Sequence, residues 1–212
     1  MLTQGKRFGD PAAKDVLVQI TGGQEEDLLQ REYEQICALT GRKDFNLVTF
    51  AVTDWNNDLS PWKAPAAFGD QDFGGGAEAA FADLLEQIRI LRQESPDAKL
   101  YLGGYSLAGM FALWTVTKTE EFDHVAAVSP SVWFPGFTEY LEAHHTEVFS
   151  AYLSLGEKEK KTAEPIRRTQ KILEGQFAET TLEWNPGNHF KDPDLRTAKG
   201  FAWLLSLKDL LA

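Results

Sequence analysis

Short runs of apolar, β-favouring residues recur along the chain, and most are continuous instead of alternating. They are Val16 to Ile20, Asn46 to Val52, Lys99 to Gly103, His124 to Val128, Phe149 to Leu155 and Thr180 to Trp184. A strand that meets water on one side alternates polar and apolar residues. A continuous run suits a strand covered on both faces, as in a parallel sheet. Helical stripes lie between the runs: Leu29, Tyr33, Ile36 and Cys37; Phe81, Leu84, Leu85, Ile88 and Leu91; and the densely apolar Met110, Phe111, Leu113 and Trp114. Glu164-Pro165 and Asp192-Pro193 place proline where a helix opens. The runs start roughly 25–50 residues apart, enough for a crossover helix each time. This alternation over residues 1–212 predicts a single α/β domain built on a doubly wound, mostly parallel sheet of six strands. The one break in the pattern is Thr53 to Gly76, rich in Trp, Asn, Pro and Gly, which is long for a loop and is expected to be ordered and functional.

Composition removes several classes of function. The chain has 212 residues, one cysteine, Cys37, and a net charge of −11. A lone cysteine makes no internal disulfide and no thiolate zinc site, and an acidic surface repels phosphate backbones and anionic lipid. Neither nucleic acid nor membrane is therefore expected as a partner, and no His/Cys/Asp set has the spacing of a metal site. Met1 to Lys14 carries Lys6, Arg7, Asp10 and Lys14 and no apolar run of a signal peptide's length. The longest apolar stretch, Leu107 to Val116, is about half a membrane span. The expected location is the cytoplasm.

The sharpest chemical signal is Gly103-Gly104-Tyr105-Ser106-Leu107-Ala108-Gly109, which joins an apolar strand directly to an apolar helix. A turn this tight needs small residues two before and two after the serine, and Gly104 and Ala108 supply them. Ser106 then stands above the sheet at a helix N-terminus. First-turn amides there have no intrahelical acceptor, so the Leu107 N–H can receive an oxyanion. A serine in that position needs a base, and the base needs an orienting acid.

Gly104-Tyr105-Ser106-Leu107-Ala108, in this strand–turn–helix context, resembles the nucleophile elbow of the α/β-hydrolases. Ala108 stands where that family usually has a second glycine. The resemblance covers nearly the whole chain and implies the order serine, acid, histidine. It points to His189, in the turn Asn185 to Phe190 between the last strand and the last helix, over His124, His144 and His145. The acid is expected just after Leu155: a Gly-x-x-acid spacing from Gly156 selects Glu159, with Glu157 as the competitor and Asp192 or Asp194 further off. A second oxyanion amide is implied in Thr21-Gly22-Gly23-Gln24, from Gly23 or Gln24. The segment Ser129-Pro130-Ser131-Val132-Trp133 is similar to one in bacterial esterases related to esterase D and the trilactone-siderophore esterases, where it shapes the pocket wall.

With six strands against the family's eight, the chain reads as an α/β-hydrolase fold shortened at its N-terminal edge, without a cap domain. Selection would then fall on the Thr53–Gly76 loop and on Ser131 to Tyr140, with Trp55, Trp62, Trp133 and Tyr105 as candidate substrate contacts. Asp54 either lines the pocket or caps its loop, and Gly74-Gly75-Gly76 lacks the lysine of a phosphate cradle. The expected activity is hydrolysis of carboxylic esters by an acyl-enzyme without a cofactor, acting on a small-molecule ester and falling below about pH 6.5 as the base is protonated. Acyl transfer or thioester cleavage would use the same residues. A non-catalytic binding protein would have no reason to keep all three.

Overall fold

Most of the strands are buried from both sides, and helices cover both faces of the sheet that they form. The computed structural model describes residues 2–23, 26–67, 69–146, 148–176 and 179–207. In chain order it begins β1 (Leu2–Gly9), β2 (Asp15–Thr21), α1 (Glu26–Thr40), β3 (Phe45–Val52) and α2 (Trp55–Asp58). The short strands β4 (Lys63–Ala64) and β5 (Phe73–Gly74) and then α3 (Ala77–Glu94) follow. The second half runs β6 (Lys99–Tyr105), α4 (Leu107–Thr115), β7 (His124–Val128), α5 (Phe137–Ala143), β8 (Ser150–Gly156), α6 (Ala163–Glu174), β9 (Glu179–Asn185) and α7 (Pro193–Ser206).

The main sheet has the order β1-β3-β2-β6-β7-β8-β9. All its neighbours are parallel except β1, which runs antiparallel to β3. The doubly wound expectation holds, and the strand count is corrected from six to seven. The missed strand, β1, is Leu-Thr-Gln-Gly-Lys-Arg-Phe-Gly, of which only Leu2 is buried. An edge strand is held by ladder hydrogen bonds to one neighbour and leaves no apolar run to read. Its register also shifts between Gln4 and Arg7, which breaks any alternation.

Two apolar layers sandwich the sheet. Val16, Val18, Ile20, Val48, Phe50, Leu100 and Leu102 belong to one layer, together with Leu84, Ile88 and Leu91 of α3, Met110 and Phe111 of α4, and Ile166 and Leu173 of α6. Leu17, Leu47, Tyr101, Ala126 and Tyr152 point the other way, against Ile36 of α1 and Phe201 and Leu204 of α7. Alternate residues of one strand thus fill opposite cores, which explains the unbroken apolar runs. A side chain at Gly103 would stand 2.5 Å from the Phe201 ring, so its absence lets α7 seat directly behind β6. Burial of a phenylalanine such as Phe201 stabilises by about 2–3 kcal/mol, and that contact fixes the helix behind the serine turn.

The Thr53–Gly76 segment is ordered where it is described. It holds α2 and the antiparallel pair β4–β5. Asp54 caps α2, accepting from the Asn57 N–H at 3.1 Å, and the Gly76 N–H donates to the Asn57 carbonyl at 2.9 Å. The triglycine is therefore packed against its own loop. Among the described residues no helix is long and apolar enough to cross a membrane.

Candidate functional site

The serine turn is the local feature from which the site is built. β6 ends at Tyr105, α4 starts at Leu107, and Ser106 between them has φ 60° and ψ −121°. A non-glycine residue in that region costs roughly 1–3 kcal/mol and persists only where its surroundings hold it. Here the Ser106 N–H donates to the Val128 carbonyl at 2.9 Å, and the Ser106 carbonyl accepts from Ser131 N–H at 3.0 Å and Met110 N–H at 3.1 Å. A Cβ on Gly104 would lie 2.7 Å from the Ala108 carbonyl carbon and Cβ. The expectation of small residues on both sides of the serine is thus met by direct contact. α4 makes its first i→i−4 bond from Met110, which leaves the Leu107 amide without an intrahelical acceptor.

Three sequence-distant side chains converge at this turn. Ser106 Oγ is 2.9 Å from His189 Nε2, and His189 Nδ1 is 2.7 Å from Glu159 Oε2. His189 lies past β9 and Glu159 past β8, so adjacent parallel strands deliver them to one end of the sheet. The acid near His189 is Glu159. Glu157, two residues nearer the strand, is exposed and uses its N–H to reach the Asn185 carbonyl. The turn curls back, with Glu159 N–H bonding the Gly156 carbonyl at 2.9 Å, and that aims the Glu159 side chain inward. Asp192 has a left-handed backbone and pairs with Lys191 at the surface.

The Glu159 carboxylate is 8% exposed and fully engaged. Oε1 accepts from the Ser129 hydroxyl at 3.0 Å, from the Gly156 N–H at 2.8 Å and from Arg196 Nη2 at 3.2 Å. Burial pushes the carboxyl up, but the hydrogen bonds from His189, the Gly156 amide and Ser129, with the attraction of His189, outweigh it and hold the group below the ordinary glutamate value. Glu159 therefore stays anionic at neutral pH. Arg196, unremarked in the sequence, also donates from Nη1 to Tyr105 Oη at 2.9 Å and to the Asn188 carbonyl at 3.3 Å, and its Nη2 bonds the Ser129 hydroxyl.

The other candidates divide. β2 pairs with β6 so that Ile20 faces Gly104, which brings the loop after Thr21 up beside Ser106. Gly23 in that loop has φ +78°, a conformation that favours glycine, and opens on free space. Gln24 lies outside the described residues. Trp55 packs on the same loop, its ring 3.0 Å from where a Gly22 Cβ would be. Trp133 follows Ser131, whose Oγ is 3.4 Å from Ser106 Oγ, and packs against Phe73.

Tyr105 lies beside His189, their ring centroids 5.3 Å apart, whereas Trp62 is placed elsewhere than expected. The Tyr105 hydroxyl donates to the His189 carbonyl at 2.6 Å and accepts from Arg196, so it braces the histidine loop. Trp62 donates to the Pro135 carbonyl at 2.9 Å and lines a cavity of about 440 Å³ with Trp114, Lys118, Tyr140 and His144, at the far end of α4 from Ser106. None of Ser106, Glu159 and His189 lines that cavity. His124 bonds Ser150 Oγ at 2.7 Å, and His144 stacks on Tyr140, both away from the serine. Beside His189 stands Phe190, 84% exposed, with its ring edge-on to the imidazole. Among the described residues no group of three or more His, Cys, Asp or Glu could hold a metal ion.

No family model matches the sequence, and no curated protein matches it. Solved structures do resemble the fold. Siderophore hydrolase EstA from Aspergillus nidulans superposes with a TM-score of 0.71 at 16% identity, over 93% of this chain and 84% of that one. The enterobactin esterase FES from Shigella flexneri gives 0.65 at 14% identity, over 96% of this chain and 54% of that one. An alpha-beta serine hydrolase homologue from Coxiella burnetii gives 0.56 at 12% identity, over 97% and 88%. With its seven-stranded, mostly parallel sheet, the chain has the α/β-hydrolase fold.

Proposed function

We propose that this protein is a serine hydrolase that cleaves carboxylic esters through an acyl-enzyme. One observation carries the reading: the continuous chain from Ser106 Oγ through both nitrogens of His189 to Glu159 Oε2, with separations of 2.9 and 2.7 Å. The strained turn at Ser106 supports it, because backbone strain concentrates at functional positions. A purely structural serine has no need of either feature.

The reaction follows from the geometry. His189 Nε2 accepts the Ser106 proton as Oγ attacks the ester carbonyl carbon. Nδ1–H donates to Glu159, which fixes the tautomer and offsets the positive charge that develops on the imidazole. The carbonyl π electrons move onto oxygen, and the oxyanion takes N–H donors from Leu107 and from Gly23 or Gln24. Collapse breaks the bond to the leaving alcohol, which receives the proton from His189. Water, deprotonated by the same imidazole, then attacks the acyl carbon; the bond to Ser106 Oγ breaks, His189 returns its proton to Oγ, and the acid leaves. Each oxyanion donor is worth roughly 10²–10³ in rate.

The walls suggest the substrate. Trp55 lies against the Gly22 loop, and Trp133 follows the serine segment, so an ester with an apolar or aromatic acyl or alcohol group fits best. Several structural neighbours bear the names esterase or siderophore hydrolase, which agrees with this class. The test is hydrolysis of nitrophenyl esters of graded acyl length by wild type and Ser106→Ala. Turnover with a burst of nitrophenol in wild type and none above background in the variant supports the reading; equal turnover in both refutes it.

A further inference from the structure

One buried cation sits behind these residues, and the chemistry above gives it no step. Arg196 projects from the first turn of α7, and its side chain is 2% exposed. Its two terminal nitrogens reach four acceptors: the Tyr105 hydroxyl, the Ser129 hydroxyl, Glu159 Oε1 and the Asn188 carbonyl. Those acceptors stand at the ends of β6, β7, β8 and β9 in turn. Tyr105 precedes Ser106 and Asn188 precedes His189, so one guanidinium reaches Glu159 itself and the chain neighbour of each other member. Arginine keeps its charge at any working pH and presents a planar fork, so it can hold several acceptors at fixed angles.

Burying such a charge is unfavourable unless it is paired and hydrogen-bonded. The pairing here is specific in its direction. Three donors, Ser129, the Gly156 amide and Arg196, occupy Oε1 of Glu159 and leave Oε2 to His189 alone. Ser129 reaches its place with φ +41°, a left-handed conformation unusual for serine, and its N–H bonds the Ser154 carbonyl. The backbone is thus bent to complete the same cluster. The ionisable groups that face the imidazole are Glu159 from the turn after β8, Arg196 from α7 and Tyr105 from β6.

We infer that Arg196 is a positioning residue for the catalytic acid and base, acting through Glu159. It locks which carboxylate oxygen meets His189, ties the histidine loop to β6 through Tyr105, and offsets part of the Glu159 charge felt by the imidazole. The offset keeps the imidazolium from being held too strongly, so the base can return its proton to the leaving alcohol. This inference rests on the serine-hydrolase reading.

Its test is kcat and KM for a nitrophenyl ester across pH 5–9 in wild type, Arg196→Gln, Arg196→Lys and Ser106→Ala, with circular dichroism to establish folding. In Arg196→Gln, kcat falls about ten- to a hundredfold with KM little changed. Its acidic limb moves up by roughly half to one pH unit, because Glu159 acts on the imidazole uncompensated. Arg196→Lys keeps the charge and loses the fork, so kcat falls about tenfold while the limb stays near wild type. If Arg196→Gln does not fold, the lysine variant decides. A folded Arg196→Gln with wild-type kcat, a lower kcat with an unmoved limb, or Arg196→Lys at the wild-type rate overturns the inference. Ser106→Ala that turns over like wild type overturns the hydrolase reading and this inference with it; an inactive Ser106→Ala beside an unaffected Arg196→Gln overturns this inference alone.

Discussion

Glu32 is a carboxyl set in the core, and its replacement has a calculable effect on stability. It lies on α1, only 2% exposed, and accepts from Gln19 Nε2 of β2 at 3.0 Å. Burial pushes its pKa from 4.5 to about 8; the hydrogen bond from Gln19 opposes this shift, and the nearby charge of Asp194 adds to it. The unfolded chain ionises near 4.5 while the folded chain keeps its proton to about 8, so unfolding releases a proton throughout that window. Stability must then fall as pH rises through it, at about 1.4 kcal/mol per pH unit, amounting to roughly 3–4 kcal/mol between pH 5 and 8. Glu32→Gln has nearly the same shape and no titration. Oε1 of Gln19 and Oε1 of Glu32 have no hydrogen-bond partner among the described residues, so the amide displaces no bond that Oε1 of Glu32 makes. With about 2–4 °C per kcal/mol for a chain of this size, the Tm of Glu32→Gln relative to wild type should climb by roughly 10 °C from pH 5 to 8. Thermal melts of both proteins at each half unit of pH measure this. A difference that stays flat, or shrinks as pH rises, would refute the reasoning.

Other expectations concern the site. Glu159→Gln should lower kcat by about 10²–10⁴, because the amide no longer holds the imidazole tautomer. Glu157→Gln should leave kcat at the wild-type value, so ester kinetics on the pair separate the two acids. Gly104→Val would drive a side chain into the Ala108 backbone 2.7 Å away. It should lower stability by about 1–3 kcal/mol in urea unfolding and remove most activity, since the turn that presents Ser106 has to move.

The sequence exposed those features whose signal is local. The strand–turn–helix around Ser106 is contiguous, and the small residues it needs are forced by contacts within five positions. His189 was found by its place between the last strand and the last helix. The Gly-x-x-acid spacing put Glu159 ahead of Glu157, but both lie in one charged turn and nothing else local to the sequence separates them. What distinguishes them is the hydrogen bonding that turns Glu159 toward the Gly156 amide and leaves Glu157 in water. Strand β1 was invisible because its stabilisation lies in backbone bonds to β3 and not in side-chain burial. Trp62 was read as a substrate contact from the aromatic content of its loop, which does not say which way a ring faces.

Arg196 did leave a trace. It falls at i, i+4, i+5 and i+8 with Gly200, Phe201 and Leu204, so it occupies the core-facing stripe of α7. A cation on a buried stripe requires a buried anion. The charged turn after β8 was the place to seek it.

The central claim is that Ser106 is an activated nucleophile. Reaction with a fluorophosphonate, followed by peptide mass spectrometry, tests it directly. The account predicts one phosphonyl adduct per chain, on Ser106, in wild type, and none in Ser106→Ala or in wild type unfolded by urea. Folded wild type that takes no label, or takes it on a different serine, would contradict it.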